Sequence, residues 1–228
     1  MGFGQAIAVT PLQLITAIAA CVNGGKLLKP YMVSKIYSDD GLILEENSPT
    51  VIDQVISKEV SDIINDMLEK TVSKAGKYTF LEGYEIGGKT GTTQKYEDGK
   101  IAGTYVSSFI GTYPASNPEY IVLIVVDEPG TGAYYGSVVA SPYAKEIFAD
   151  IIQQKNIQPD DPKYVPLERN IEMPNLVGKS LTDACVELKK LGLNFEIQGD
   201  GGFIIEQLPP PKTLLYKGQY VYLITNST

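Results

Sequence analysis

The stretch Gly87-Gly88-Lys89-Thr90-Gly91-Thr92-Thr93 decides how the rest of this chain is read. It sets one lysine among glycines and threonines. Glycine removes the side chain and lets another backbone come close. Threonine favours extended backbone and supplies a hydroxyl. With the charge of Lys89, the hydroxyls of Thr90, Thr92 and Thr93 suit an anionic group, either a carboxylate or a phosphate.

Two motifs fit these residues, and they predict opposite backbones. Gly83 to Thr90 matches the phosphate-binding pattern G-x-x-x-x-G-K-[ST] letter for letter. The apolar run Ile121 to Val126, ending in Asp127-Glu128, even looks like the strand and acid that such proteins use for magnesium. A phosphate-binding loop, however, needs a helix starting at its lysine. Here Lys89 is followed by Thr-Gly-Thr-Thr-Gln-Lys-Tyr-Glu-Asp-Gly, a poor first helical turn. A P-loop nucleotide-binding protein is therefore a remote alternative. The other motif is Lys-Thr-Gly-Thr, whose β-branched residues favour extended backbone. A Gly-rich edge strand with a solvated lysine is the plain structural reading of the same residues.

Composition narrows the classes. A chain of 228 residues with 43% hydrophobic residues can pack one large and one small domain. The net charge of −8, without a basic patch, argues against nucleic acid. There is no histidine, and Cys21 and Cys185 are the only cysteines. That excludes a His-based triad, and no cluster suits zinc or another metal. No cofactor is expected. Both cysteines fall at apolar helix positions and are expected to be buried free thiols in separate domains. No leader or long apolar span is visible.

Along the chain, Thr10-Pro11-Leu12-Gln13 reads as a capped helix start. This helix runs to about Val22 and is apolar nearly all round, so a buried core helix is expected. Leu27 to Tyr37 and Leu42 to Leu44 read as short strands around Asp39-Asp40-Gly41. Ser57 caps a longer helix ending at Gly76, with Val60, Ile63, Ile64, Met67, Leu68, Thr71 and Val72 at helical spacing. Strands follow over 84–94, 102–113 and 119–127, with turns at Asp98-Gly99 and Pro114 to Pro118. Ser141-Pro142 opens another helix, to about Gln154. Helices flanking an antiparallel sheet make an α+β fold.

Prolines and charges between 158 and 169 interrupt all periodicity and predict a linker. A small unit follows, with a Ser180-capped helix whose inner face is Leu181, Ala184, Leu188 and Leu191. Its strands are expected near 193–198, 202–207 and 219–224. The domains read as 1–157, a linker over 158–169, and 170–228.

The order of motifs resembles a known family. Met173-Pro-Asn-Leu-Val-Gly-Lys-Ser180, a helix ending Leu-Lys-Lys-Leu-Gly-Leu193, Gln207-Leu-Pro-Pro-Pro211 and Lys217-Gly218 resemble a PASTA domain. Upstream, Gly4 to Leu14 with Asn23-Gly24-Gly25, then the Lys89 stretch, Ser108 to Pro114, and Tyr135 to Pro142 resemble class B penicillin-binding proteins in that family's order. A single PASTA module is similar to the sporulation-type members. The resemblance implies a truncated transpeptidase domain of the penicillin-binding/β-lactamase type followed by a PASTA domain. It also implies peptidoglycan cross-linking by a serine acyl-enzyme, with a stem peptide or β-lactam as ligand. The setting would be the outer face of a bacterial, Gram-positive membrane.

By this resemblance Lys89 and Thr92 are catalytic, and Thr90, Gly91, Thr92 and Thr93 bind substrate. Lys89 supplies positive potential, and the Thr90 and Thr92 hydroxyls take a carboxylate. The Thr92 N–H is one oxyanion-hole donor, and Gly91 lets the substrate lie against the strand. Strict alternation puts Lys89 on the face opposite Thr90 and Thr92, so strand twist or a bulge is expected to reconcile them.

The resemblance also has a gap. No serine here has a lysine three residues later, and no Ser-x-Asn occurs. Met1 is read as the start of a truncated product, which lacks a nucleophile and base and is expected to be inactive. The N-terminal part of the same protein would be its partner. Apolar surface, such as one side of the first helix, is expected to stay exposed and to support a homodimer. A cell-wall-binding or purely structural PASTA module is the alternative function.

Overall fold

The computed structural model describes residues 8–76, 78–97, 100–130 and 133–226. The chain divides into two compact units, Met1–Val165 and Pro166–Thr228.

The first unit begins with α1 (Pro11–Val22), β1 (Lys26–Leu28), β2 (Lys35–Tyr37), β3 (Ile43–Glu46) and β4 (Val51–Gln54). Then come α2 (Lys58–Ala75), β5 (Gly87–Glu97), β6 (Lys100–Tyr113), β7 (Tyr120–Asp127), α3 (Gly136–Val139) and α4 (Ser141–Gln154). The sheet that matters is antiparallel, in the order β5-β6-β7, with β5 at one edge. The α+β class expected from the sequence is the class observed. The Asp98-Gly99 turn lies outside the described residues.

α1 starts as its capping box demands. The Thr10 Oγ1 accepts from the Gln13 N–H at 3.2 Å, and Gln13 Oε1 accepts from the Thr10 N–H at 2.9 Å. Its expected burial all round is not observed. Only Ala20 and Val22 are buried, and Leu12 is 60% exposed. Its packing partners β1, α2 and β7 cover only part of its circumference. The single stretch expected from Leu27 to Tyr37 is also broken. β1 pairs with β4, while β2 pairs with β3. Pro30 lies between β1 and β2, where it ends ladder donation.

α2 shows why helical spacing alone misplaces a face. Ser61 and Asn65 are buried, whereas Val60, Ile63 and Met67 are exposed. The polar pair is drawn inward by the C-terminus of α1, whose last carbonyls have no partner within their own helix. Asn65 Nδ2 donates to the Val22 carbonyl at 3.1 Å, and Ser61 Oγ accepts from the Gly24 N–H at 3.0 Å. These bonds rotate α2 so that Val72 is buried and Ile64 and Leu68 are half-buried.

α4 lies on the sheet through Phe148. Gly88 and Gly111 face each other across β5 and β6. A β-carbon at Gly88 would sit 2.4 Å from Phe109 Cζ, and one at Gly111 would sit 2.7 Å from Phe148 Cε2. Glycine at both positions lets the two rings seat directly on the backbone. Tyr113 completes this core, tilted on Phe148 and edge-on to Tyr84.

After α4 the chain returns to the segment just before β5. The Asp160 N–H donates to the Gly83 carbonyl at 2.8 Å, and Asp160 Oδ2 accepts from the Glu85 N–H at 2.7 Å. Tyr84 Oη donates to the Ile157 carbonyl at 3.4 Å. Proline and charge density hid this strap from sequence reading, because its bonds go to residues over seventy positions away.

The second unit holds β8 (Arg169–Glu172), α5 (Leu181–Lys190), β9 (Asn194–Gln198), β10 (Ile204–Leu208), β11 (Leu214–Tyr216) and β12 (Tyr220–Thr225). Its main sheet has the order β10-β12-β9, with β12 and β9 parallel. β8 and β11, short and absent from the sequence expectations, pair antiparallel. Met173, Leu176, Ala184, Leu188, Leu193, Ile204, Leu215, Val221 and Leu223 form one closed core. Gln207 pins the loop beside it. Its Oε1 accepts from the Leu176 N–H at 2.6 Å and its Nε2 donates to the Pro174 carbonyl at 3.0 Å.

Cys21 and Cys185 are both free. They are half-buried rather than fully buried, and burial pushes the Cys185 thiol above its ordinary pKa. Among the described residues no helix is long and apolar enough to cross a membrane.

Candidate functional site

β5 is extended through the whole motif, from Gly87 to Glu97. No helix starts at Lys89, and the P-loop reading falls with that. Each residue from Gly87 to Gln94 pairs in unbroken register with β6, and the register shifts only between Gln94 and Tyr96. The bulge proposed to reconcile Lys89 with its neighbours is therefore not at the motif.

Alternation assigns the faces. Thr90 lies opposite Phe109 and Thr92 opposite Ser107, on the face that carries α3 and α4. Lys89, Gly91 and Thr93 lie on the other face, with Ile110, Ser108 and Val106 across from them. That is the α2 face: a β-carbon at Gly87 would meet Leu68 Cβ at 3.2 Å. Lys89 is exposed, and its Nζ donates to the Thr90 carbonyl at 2.9 Å. The ammonium is thus folded back onto the strand rather than extended into solvent. Thr92 and Thr93 are exposed, and Thr90 and Gly91 half-buried.

One bond in this region was not foreseen. Thr92 Oγ1 accepts from the Gly136 N–H at 3.1 Å. A β-carbon at Gly136 would stand 2.3 Å from the Ser108 carbonyl oxygen and 2.6 Å from that of Gly91. The segment just before Gly136 is held as well. Ser107 Oγ donates to the Tyr134 carbonyl, and the Tyr134 ring stacks on Tyr105 with centroids 4.1 Å apart. Tyr134 Oη donates to Tyr135 Oη at 3.2 Å. That bond is the main cause raising the Tyr134 phenol to about 12. The sequence signal was faint: glycines and tyrosines over 130–136 mark a loop but not where it lands.

At the far end of β5, Lys95 Nζ pairs with Glu128 at 2.7 Å and Asp127 at 3.1 Å. The Glu128 bond, then the Asp127 bond, hold the Lys95 ammonium above its ordinary pKa. Asp127 and Glu128, which the sequence offered as a magnesium acid, are thus tied to the motif strand. Among the described residues no group of three or more His, Cys, Asp or Glu is placed to hold a metal.

The motif offers the Lys89 ammonium and three threonine hydroxyls around a bare glycine on an edge strand. Comparisons with known proteins place the chain in a family. Residues 1–152 match the penicillin binding protein transpeptidase domain, and residues 171–227 match the PASTA domain. Stage V sporulation protein D of Bacillus subtilis (strain 168) is 37% identical over 228 residues, covering 96% of this chain and 35% of that protein. A peptidoglycan D,D-transpeptidase FtsI homolog of Mesostigma viride is 35% identical over 175 residues, covering 70% of this chain and 29% of that protein. The chain thus spans about a third of the length of these curated relatives.

Among solved structures, penicillin binding protein 3 of Mycobacterium tuberculosis complexed with ampicillin matches at TM-score 0.61 and 26% identity, over 72% of this chain and 39% of that one. The apo transpeptidase domain of Burkholderia pseudomallei penicillin-binding protein 3 matches at 0.56 and 29%, over 70% and 46%. This chain belongs to the penicillin-binding protein transpeptidase family and carries a PASTA domain behind its transpeptidase part.

Proposed function

We propose that β5 is the substrate-gripping strand of a peptidoglycan D,D-transpeptidase. In this reading residues 1–157 are the C-terminal portion of its catalytic domain, joined through 158–169 to a PASTA domain over 170–228. The observation that carries the reading is the unbroken edge strand through Lys89-Thr90-Gly91-Thr92. An extended edge strand pairs with an extended peptide, which suits a stem peptide ending in a carboxylate.

Thr90 and Thr92 supply hydroxyls for that carboxylate, and Thr93 meets the substrate from the opposite face of the strand. Gly91 leaves room for the peptide backbone. Lys89 raises the positive potential, and the Thr92 N–H serves as an oxyanion-hole donor, worth ~3–4 kcal/mol in a working site. Acyl transfer also needs an activated nucleophile. The sequence holds no Ser-x-x-Lys, so the nucleophile comes from the preceding part of the same protein and this chain alone does not turn over. The whole protein cross-links stem peptides, is acylated by β-lactams, and works outside the cytoplasmic membrane of a Gram-positive bacterium.

Two readouts test this. Titrating the chain with D-alanyl-D-alanine should shift the amide signals of residues 89–93, and a fluorescent penicillin should leave no covalent label. Shifts elsewhere would remove the site assignment. A covalent label would remove the claim of inactivity.

A second reading, a wall-binding PASTA module, is favoured by one observation. Tyr220, Tyr222 and Ile224 alternate with the buried Val221, Leu223 and Thr225, so they face away from the core. Muropeptide shifts confined to β12 in the full chain would support it. The exposed Leu12, Val60, Ile63 and Met67 offer surface for a homodimer, which sedimentation at rising concentration would detect.

A further inference from the structure

We propose that Gly136 is a positioning residue for the carboxylate site, and that its N–H makes the Thr92 hydroxyl a committed donor. The proposal rests on the reading of β5 as a carboxylate-gripping strand.

A free threonine hydroxyl can donate or accept, and its rotor is unconstrained. A carboxylate only accepts. A hydroxyl already bonded through one lone pair is restricted in where its proton points. In this chain the Gly136 N–H occupies Thr92 Oγ1 at 3.1 Å. The Thr92 O–H is left to donate, away from Gly136. An anion benefits from that orientation, whereas a neutral group that donates to Thr92 is left with the hydroxyl's one remaining lone pair. The device favours an ionised carboxylate over a carboxamide of the same shape.

The contact requires glycine. Any β-carbon at position 136 would collide with two backbone oxygens, Ser108 O at 2.3 Å and Gly91 O at 2.6 Å. Neither belongs to a side chain that could swing away, so the segment would lift from β5 and take its N–H with it. The approach is held by contacts on neighbouring residues. Ser107, opposite Thr92 on β6, donates to the Tyr134 carbonyl, and Tyr134 stacks on Tyr105. These fix the height of the segment above the sheet, and Gly136 converts that height into one hydrogen bond on one threonine.

The test compares the full chain with Gly136→Ala, Thr92→Ser and Thr92→Val, using D-alanyl-D-alanine and its C-terminal amide as probes. NMR gives both affinities. The expected wild-type result is a preference for the carboxylate of about tenfold, the scale of one hydrogen bond to a charged group. Gly136→Ala should lose most of that preference while keeping its weak affinity for the amide. Thr92→Ser should keep the preference, and Thr92→Val should lose it.

An unchanged preference in Gly136→Ala overturns the inference and leaves the substrate-strand reading standing. A wild type with no preference for the carboxylate removes that reading, and the inference with it. If Gly136→Ala does not fold, amide exchange decides. The Gly136 N–H should be protected in the wild type and in Thr92→Ser, and should exchange faster in Thr92→Val. Equal exchange in all three would sink the proposal.

Discussion

α2 and α5 look alike in sequence and do opposite things. Each is capped by a serine, Ser57 and Ser180, and each carries apolar residues at helical spacing. α5 buries the face that its spacing marks, sending Ala184 and Leu188 into a core closed by strands on both sides of it in sequence. α2 leaves Val60, Ile63 and Met67 in the open and buries Ser61 and Asn65. Amphipathic spacing reports that a helix has a sticky face. It does not report that the rest of the fold covers that face.

The largest expected effect lies in the closed core. Leu188→Ala should cost ~2–5 kcal/mol, most of what so small a unit can hold. Met67→Ala on the open face of α2 should change stability by less than ~0.5 kcal/mol. Urea unfolding with probes in each unit measures both, and a similar loss for the two would erase the contrast between the helices.

Next comes the sheet beneath α4. Gly88→Ala would place its β-carbon 2.4 Å from Phe109, an overpacking expected to cost ~1–3 kcal/mol. Thermal melts of the first unit would show it. No change there would mean that the glycine pair is not what seats the rings.

The strap before β5 should matter less, because Asp160 is exposed. Asp160→Ala removes the acceptor of the Glu85 N–H and should cost ~0.5–1.5 kcal/mol, with the faster amide exchange confined to residues 83–86. Exchange that rises instead across the whole sheet would show the strap to be part of the core and not a local clasp.

The smallest effect appears only at high pH. Burial pushes the Tyr113 phenol well above its ordinary value of 10.0. A raised folded value means that the unfolded chain loses this proton first. The stability is intact below pH 10 and falls as pH rises toward the folded value. No described residue pairs with the Tyr113 hydroxyl, so Tyr113→Phe should be nearly neutral at pH 7 and flatten the decline above pH 10. An alkaline decline of the same size in the variant would assign it to other groups.

Much of the element order was legible because its causes are local. The capping box of Thr10 and Gln13, the Ser57 and Ser180 caps, and the strand character of Lys89 to Thr93 depend on residues within a turn or two. The site was legible as a stretch but not as a geometry. Which threonine meets which partner depends on Gly136, far along the chain, and on Ser107 across the ladder. For α1 the expected full burial fails, while the expected open side is present at Leu12. The helix's apolar circumference is a property of sequence, while its covering depends on where β1, α2 and β7 lie.

By itself the sequence determined that an extended, glycine- and threonine-rich strand would carry Lys89, and that a second, PASTA-like unit would follow it. Propensity, caps and short motifs act over a few residues, so they survive without knowledge of the whole. Tertiary structure alone decided that no bulge at the motif brings Lys89 and Thr92 to one face, that α2 turns Ser61 and Asn65 inward, and that the 157–164 strap closes on the residues before β5. Those outcomes rest on hydrogen bonds and steric contacts between residues far apart in the chain, which no local pattern encodes.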